Sequence, residues 1–107
     1  MKYQMYIDDI RTPPEGMRHF VIVRNAENAR RLMIDSGCPD MISFDHDLGD
    51  GETGYDVAKW MVENDLNSGG KFIPWNFKFH VHSANPIGKI NIETYLTNYL
   101  TRREWQK

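Results

Sequence analysis

The chain has 107 residues, 40% of them hydrophobic and 12% aromatic, and a formal net charge of −2, which fits one compact domain and excludes a disordered chain. Its longest unbroken apolar run is Phe20–Val23, far short of the roughly 20 residues a transmembrane helix needs. The N-terminus Met1-Lys2-Tyr3-Gln4-Met5-Tyr6 lacks the apolar core of a signal peptide, and Cys38 is the only cysteine, so a reducing, cytoplasmic setting is expected.

Residues 3–8 (Tyr-Gln-Met-Tyr-Ile-Asp) alternate, are rich in strand formers and end at Asp8-Asp9. Two prolines and a glycine in Arg11-Thr12-Pro13-Pro14-Glu15-Gly16 mark an irregular loop. The β-branched run 19–24 reads as a buried strand. Asn25 is a cap for a helix over about 26–36, with Ala26, Ala29, Leu32 and Met33 at helical spacing and Gly37 at the stop. Residues 40–45 (Asp-Met-Ile-Ser-Phe-Asp) read as a strand, after which the chain turns through Leu48-Gly49-Asp50-Gly51. Thr53 and Asp56 form a capping-box pattern opening a helix over about 54–66, with Val57, Ala58, Trp60, Met61 and Val62 facing the core. A strand follows at about 77–83, and Asn85-Pro86 opens a last helix that carries Ile92, Tyr95, Leu96, Tyr99 and Leu100 on one face. No linker or repeat interrupts this series, so residues 1–107 are read as a single α/β domain. Its expected form is a flavodoxin-like three-layer sandwich with a mostly parallel sheet of about four strands in the order 2-1-3-4.

Ligands of open α/β sheets bind beyond the carboxyl ends of the strands, and three of the four strands end in chemically capable residues. They are Asp8-Asp9, Asp45-His46-Asp47 and His82-Ser83-Ala84-Asn85; the second strand, ending in Arg24-Asn25, is placed outside the group. Four converging carboxylates repel one another unless a cation or shared protons offset the charge. Asp8, Asp9, Asp45 and Asp47 are therefore the candidate metal ligands. Oxygen ligands suit Mg²⁺, and nearby histidines widen the choice to Mn²⁺, Fe²⁺ or Zn²⁺, with Mg²⁺ or Mn²⁺ the expected cofactor. His46, between two acids, and His82, nearer its strand end, are the candidate proton carriers, whereas His80, read as deeper, and His19 are assigned structural roles.

Arg11 is a candidate for bidentate contact with a phosphate, joined by Ser83 and Asn85 at a helix N-terminus, which attracts anions. The charge divides to match. Residues 1–70 hold 7 Lys and Arg against 13 Asp and Glu, while residues 71–107 hold 6 against 2. Cys38 is read as a passive thiol, and Trp60, Trp75 and Trp105 as packing residues. No basic stripe supports binding to double-stranded nucleic acid.

An acidic pair after the first strand, an aspartate after the third and Ser-Ala after the fourth resemble a response-regulator receiver domain. Four blocks in order are more specific: Tyr6-Ile7-Asp8-Asp9-Ile10-Arg11, Phe44-Asp45-His46-Asp47-Leu48-Gly49, Thr53-Gly54-Tyr55-Asp56 and Val81-His82-Ser83-Ala84-Asn85-Pro86. Together they resemble the cyclic-phosphate processing receiver-like family. The resemblance implies a receiver-derived fold whose switch site is remodelled toward hydrolysis of a small cyclic phosphate, from a nucleotide or an RNA end, with a bound metal. Asp8, Asp9, Asp45 and Asp47 would then hold the ion. Catalysis would fall to His46, His82, Asp47 and Arg11, and substrate binding to Arg11, Ser83, Asn85 and Lys89.

Two departures from an ordinary receiver favour this over a phosphorylation switch on Asp45 or Asp47. Thr101–Lys107 is too short for a fifth strand and helix, and histidines intrude at positions 46 and 82. A binder that holds a cyclic nucleotide without reacting is the remaining alternative.

Overall fold

A computed structural model describes residues 2–49 and 51–105, apart from the side chains of Glu104 and Trp105. Asp50 of the turn after the third strand and the packing role assigned to Trp105 thus lie outside the described residues. The elements run β1 (Gln4–Ile7), a 3₁₀ turn (Glu15–Met17), β2 (Val21–Val23), α1 (Ala26–Ser36), β3 (Met41–Phe44), α2 (Gly54–Asn67), β4 (Lys78–Val81) and α3 (Pro86–Trp105). All four strands are parallel, in the expected order β2-β1-β3-β4.

Local chemistry sets the helix starts. The Asn25 side chain accepts from the Asn28 N–H at 2.8 Å, and Gly37 (φ 86°) ends α1. Thr53 and Asp56 close a reciprocal capping box on α2. Asn85 accepts the Gly88 N–H on its side chain and the Lys89 N–H on its carbonyl, ahead of Pro86 in the first turn.

The two faces of the sheet differ. Met5, Ile7, Ile42, Phe44 and Val81 join Ala29, Met33, Val57, Ala58, Met61, Ile92 and Leu96 in one buried core. α2 packs against both α1 and α3, so the three helices form one layer on this face. Crossover handedness explains why. From β1 the chain steps one way to β2, then back past β1 to β3 and on to β4. Right-handed connections therefore put the β1–β2 segment on the opposite face from the other crossovers. That segment contains Pro13-Pro14, which resist a helix interior. The third layer is thus an irregular connection in which Pro13 and Phe20 are buried.

Two local expectations are corrected by this layout. β2 is an edge strand, with Val21 41% and Ile22 40% exposed rather than buried. His80 is exposed on edge strand β4, on the face that no helix covers, rather than deep in the fold. Trp60 faces the core as expected, and it packs there with Leu32, Tyr95, Tyr99 and Leu100 at the margin, all of them partly buried.

Opposite the strand ends, the buried Asp65 accepts from Phe72 N, Ile73 N, Tyr99 Oη and Arg103 Nη1, while Arg103 also donates to the Ile73 and Pro74 carbonyls. Arg103 lies over the Trp75 ring, 4.2 Å from its centroid. Trp60 packs edge-on against Phe72, in keeping with a packing role. Burial pushes the Cys38 thiol up to about 12, as suits an inert cysteine. No helix among the described residues is long and apolar enough to cross a membrane.

Candidate active site

Register assembles the site. Ile7, Phe44 and Val81 lie side by side in the last paired row of β1, β3 and β4. The ladder then continues one residue further: Asp8 N–H bonds to Val23 O, Asp45 N–H to Ile7 O and His82 N–H to Phe44 O, at 3.2, 2.9 and 2.9 Å. Asp8, Asp45 and His82 thus form the next row, and residues in one row of a parallel sheet project to one face. Their ligand atoms all lie within 4.8 Å of one another.

Two buried carboxylates and an imidazole in one row need their charges settled. Burial alone would raise the Asp8 pKa, but the Arg11 and Ile10 N–H groups, 2.7 and 2.9 Å from Oδ1, and the His82 ring outweigh it, so Asp8 stays ionised. Asp45 is pushed the other way, first by burial and then by the Asp8 carboxylate. Burial lowers His82 despite the pull of Asp8. The ring is therefore neutral near pH 7 and donates from Nε2 to Asp8 Oδ2 at 3.0 Å. Its Nδ1 then accepts from the Ser43 hydroxyl at 2.8 Å.

A second group forms on the β3–α2 turn. His46 Nδ1 lies 3.1 Å from Asp47 Oδ1, and Asn85 Nδ2 donates to Asp47 Oδ2 at 3.3 Å. These bonds, His46 first, hold the exposed Asp47 carboxyl below its usual range. The His46 ring lies against Gly88, where an added Cβ would fall 2.3 Å from its Cγ. Gly88→Ala is therefore expected to displace the ring and break its contact with Asp47, although alanine favours a helix by about 1 kcal/mol. The check is a shift of the His46 imidazole resonances by NMR together with a lower Tm; an unmoved ring would count against this packing.

The remaining candidates surround these two groups. The Arg11 guanidinium is half-exposed at the rim, its Nε 3.6 Å from Asp8 and its Nη1 3.4 Å from the His82 carbonyl. Asp9 lies against the Gly49 turn, where a Cβ would fall 2.9 Å from its Oδ2. Neither Asp9 nor Asp47 belongs to the three-residue cluster found among the described residues. Ser83 Oγ accepts the Asn85 N–H, and the Asn85 side chain is shared between Gly88 and Asp47. Lys89 lies in the first turn of α3, partly buried.

Arg24 was expected outside the group, but its Nη1 donates to the Asp8 and Arg11 carbonyls at 3.1 and 2.6 Å, pinning the loop behind the cluster. Ser43 and Tyr6 also went unrecognised as site residues. They lie two rows below Asp8 and Asp45 and so on the same face, and Tyr6 stacks on His82 at 4.4 Å and 4°. Step-of-two spacing from the strand-end residues was the signal available for both.

Two carboxylates, one held ionised and one disfavoured as an anion, beside a neutral imidazole make a donor set suited to a divalent cation. Replacing the shared-proton contacts by an ion would relieve the burden on Asp45. Residues 3–98 match the model of a family described as the cyclic-phosphate processing Receiver domain. No curated protein and no solved structure matches the chain.

Proposed function

The chain belongs to the cyclic-phosphate processing receiver family, and on that premise we propose that it is a metal-dependent phosphodiesterase that opens a cyclic phosphate derived from a nucleotide or an RNA end. The observation that carries this reading is the single row of Asp8, Asp45 and His82 at three adjacent strand ends. Opening the ring adds water: a P–O bond forms from the water oxygen and a ring P–O bond breaks. The water loses a proton, and the departing alkoxide gains one.

Asp8 and Asp45, with His82, would hold the ion, and Asp9 and Asp47 stand close by in the adjoining turns. When bound, a divalent ion polarises the phosphoryl group and lowers the pKa of a coordinated water. Arg11, part exposed at the rim, pairs with phosphate oxygens and offsets charge that develops on them. Asp47 engages His46 Nδ1, which leaves Nε2 to carry the proton between water and leaving group. Ser83 keeps a hydroxyl proton to donate, and the Lys89 ammonium on α3 adds positive charge on that side. Asn85 acts mainly by holding Asp47 and capping α3.

The test is incubation of the pure chain with nucleoside 2′,3′- and 3′,5′-cyclic phosphates and a cyclic-phosphate-ended RNA, in Mg²⁺ and in Mn²⁺. Ring opening of at least one substrate, lost without metal, is expected. No turnover on any of them in either ion would overturn the reading. Ligand-dependent stabilisation with the ligand unchanged would replace it by binding, and phosphoryl transfer from acetyl phosphate to Asp45 or Asp47 by a signalling switch.

A further inference from the structure

We propose that Ser43, acting through His82, makes this a nitrogen-containing metal site that prefers first-row transition ions such as Mn²⁺ over Mg²⁺. This rests on reading the cluster as a metal centre, as above, but not on the hydrolysis itself.

Position 43 lies in the middle of the sheet, two rows behind the cluster and on the same face, and its side chain is fully buried. Its hydroxyl is 2.8 Å from His82 Nδ1. The Tyr6 ring, parallel to the imidazole at 4.4 Å, fixes the plane of the ring from the same face. Together they turn Nε2 toward Asp8 Oδ2, 3.0 Å away, with Asp45 in the same 4.8 Å cluster. Two neighbouring ligands around an octahedral ion at about 2.1 Å are themselves about 3.0 Å apart. The contact that a proton bridges in the free protein therefore has the spacing of adjacent ligands in a coordination shell.

Exchanging that proton for an ion makes a specific demand. Nε2 faces Asp8, and to ligate an ion from Nε2 the imidazole must carry its proton on Nδ1, the atom that faces Ser43. A hydroxyl both donates and accepts. Ser43 can thus donate to Nδ1 in the free protein and accept from Nδ1–H in the loaded one by rotating its own O–H. Alanine or valine at this position could do neither. A metal-bound histidine that donates its second N–H to a fixed partner is the common second-layer arrangement, and removing that partner costs about 10–100-fold in metal affinity.

The selectivity follows from ligand type. Mg²⁺ is hard, prefers oxygen and retains its waters, whereas imidazole suits the first-row ions from Fe²⁺ to Zn²⁺ best, and Mn²⁺, at the weak end of that series, is the mildest test of the preference. Asp8 and Asp45 alone would serve either. His82 tilts the site toward the transition ions, and Ser43 keeps His82 available.

The experiment is calorimetric titration of the metal-free full chain with MnCl₂ and with MgCl₂, paired with pulsed EPR of the Mn²⁺-loaded protein. Expected are at least about tenfold tighter binding of Mn²⁺ than Mg²⁺ and a histidine ¹⁴N coupling to the bound Mn²⁺. Ser43→Ala should weaken Mn²⁺ binding by about 10–100-fold and Mg²⁺ binding by clearly less, and Ser43→Thr should restore it. The ¹⁴N measurement uses the unaltered chain, so it decides the matter even where Ser43→Ala fails to fold. Equal affinity for the two ions, or Mn²⁺ bound without nitrogen coupling, would overturn the proposal. Nitrogen-coupled Mn²⁺ without ring opening would sink the hydrolase reading and leave this one standing. Turnover with Mg²⁺ but no nitrogen coupling would do the reverse.

Discussion

Asp45→Asn is expected to lose roughly 100-fold or more of any metal-dependent turnover, while raising the Tm of the metal-free chain. The first effect follows from charge: an ion contributes several kcal/mol to stabilising a phosphoryl transition state, and about 1.4 kcal/mol is a factor of ten. The second follows from the carboxyl's own position. Asp45 is 5% exposed, and its pKa is raised by burial and then by Asp8. A carboxyl whose folded-state pKa is raised binds its proton more tightly when folded. Stability therefore falls as pH rises from the unfolded pKa through the folded one, and at neutral pH the anion is a net cost. Asparagine keeps the shape and removes the charge. Melting curves at pH 7 without metal should place the variant above the wild type. Saturating Mn²⁺ should invert that order, because only a chain that binds the ion is stabilised by it. A variant no more stable than wild type in the absence of metal would contradict the electrostatics described for this row.

Arg103→Met carries the largest expected loss of stability, about 3–5 kcal/mol, because it strands a buried aspartate without its cation. Asp65 is fully buried and Arg103 is 7% exposed. Burial alone would raise the Asp65 pKa, but hydrogen bonds from Tyr99, Ile73 N, Arg103 and Phe72 N outweigh it and hold the carboxyl below its usual range. The sign is opposite to that of Asp45: this contribution is present above the unfolded carboxyl pKa and is lost as pH falls through the folded value.

Urea unfolding at pH 7 should show the loss for Arg103→Met, and the acid limb of its Tm profile should move to higher pH. Adding Asp65→Asn should recover part of the loss, since an amide oxygen still accepts from the backbone without a buried charge. A double variant as unstable as the single one would mean the charge is not the cause. The network ties the end of α2 and the chain leading to β4 onto α3, far from the cluster. Activity per folded molecule should therefore be unchanged.

Much of the fold was legible locally. Asn25, Thr53 with Asp56, and Asn85-Pro86 each marked a helix start within one residue, because capping is a short-range hydrogen-bond exchange. Strand limits were set too wide, by one or two residues at most ends, because the side-chain pattern outlasts the paired ladder. The misplaced residues share one cause. Val21 and Ile22 look like core residues, and His80 looks deeper than His82, but strand order puts β2 and β4 at the edges. Edge exposure depends on which strands pair, and that is not written in any one segment. Arg24 was missed for a similar reason: its partners Asp8 and Arg11 are 16 and 13 residues away.

By itself the sequence determined the order of elements, the parallel architecture and the gathering of acids and histidines at three strand ends. These follow from periodicity, turn residues and crossover handedness, all local or general rules. Only the tertiary structure decided which of those acids share a row. Strand side chains alternate, so a slip of one residue would exchange Asp8 for Asp9 or Asp45 for His46. The observed register instead aligns Asp8, Asp45 and His82, and sets Tyr6 and Ser43 beneath them. Long-range pairing sets that register, and with it which of the candidates meet and which stand in the turns around them.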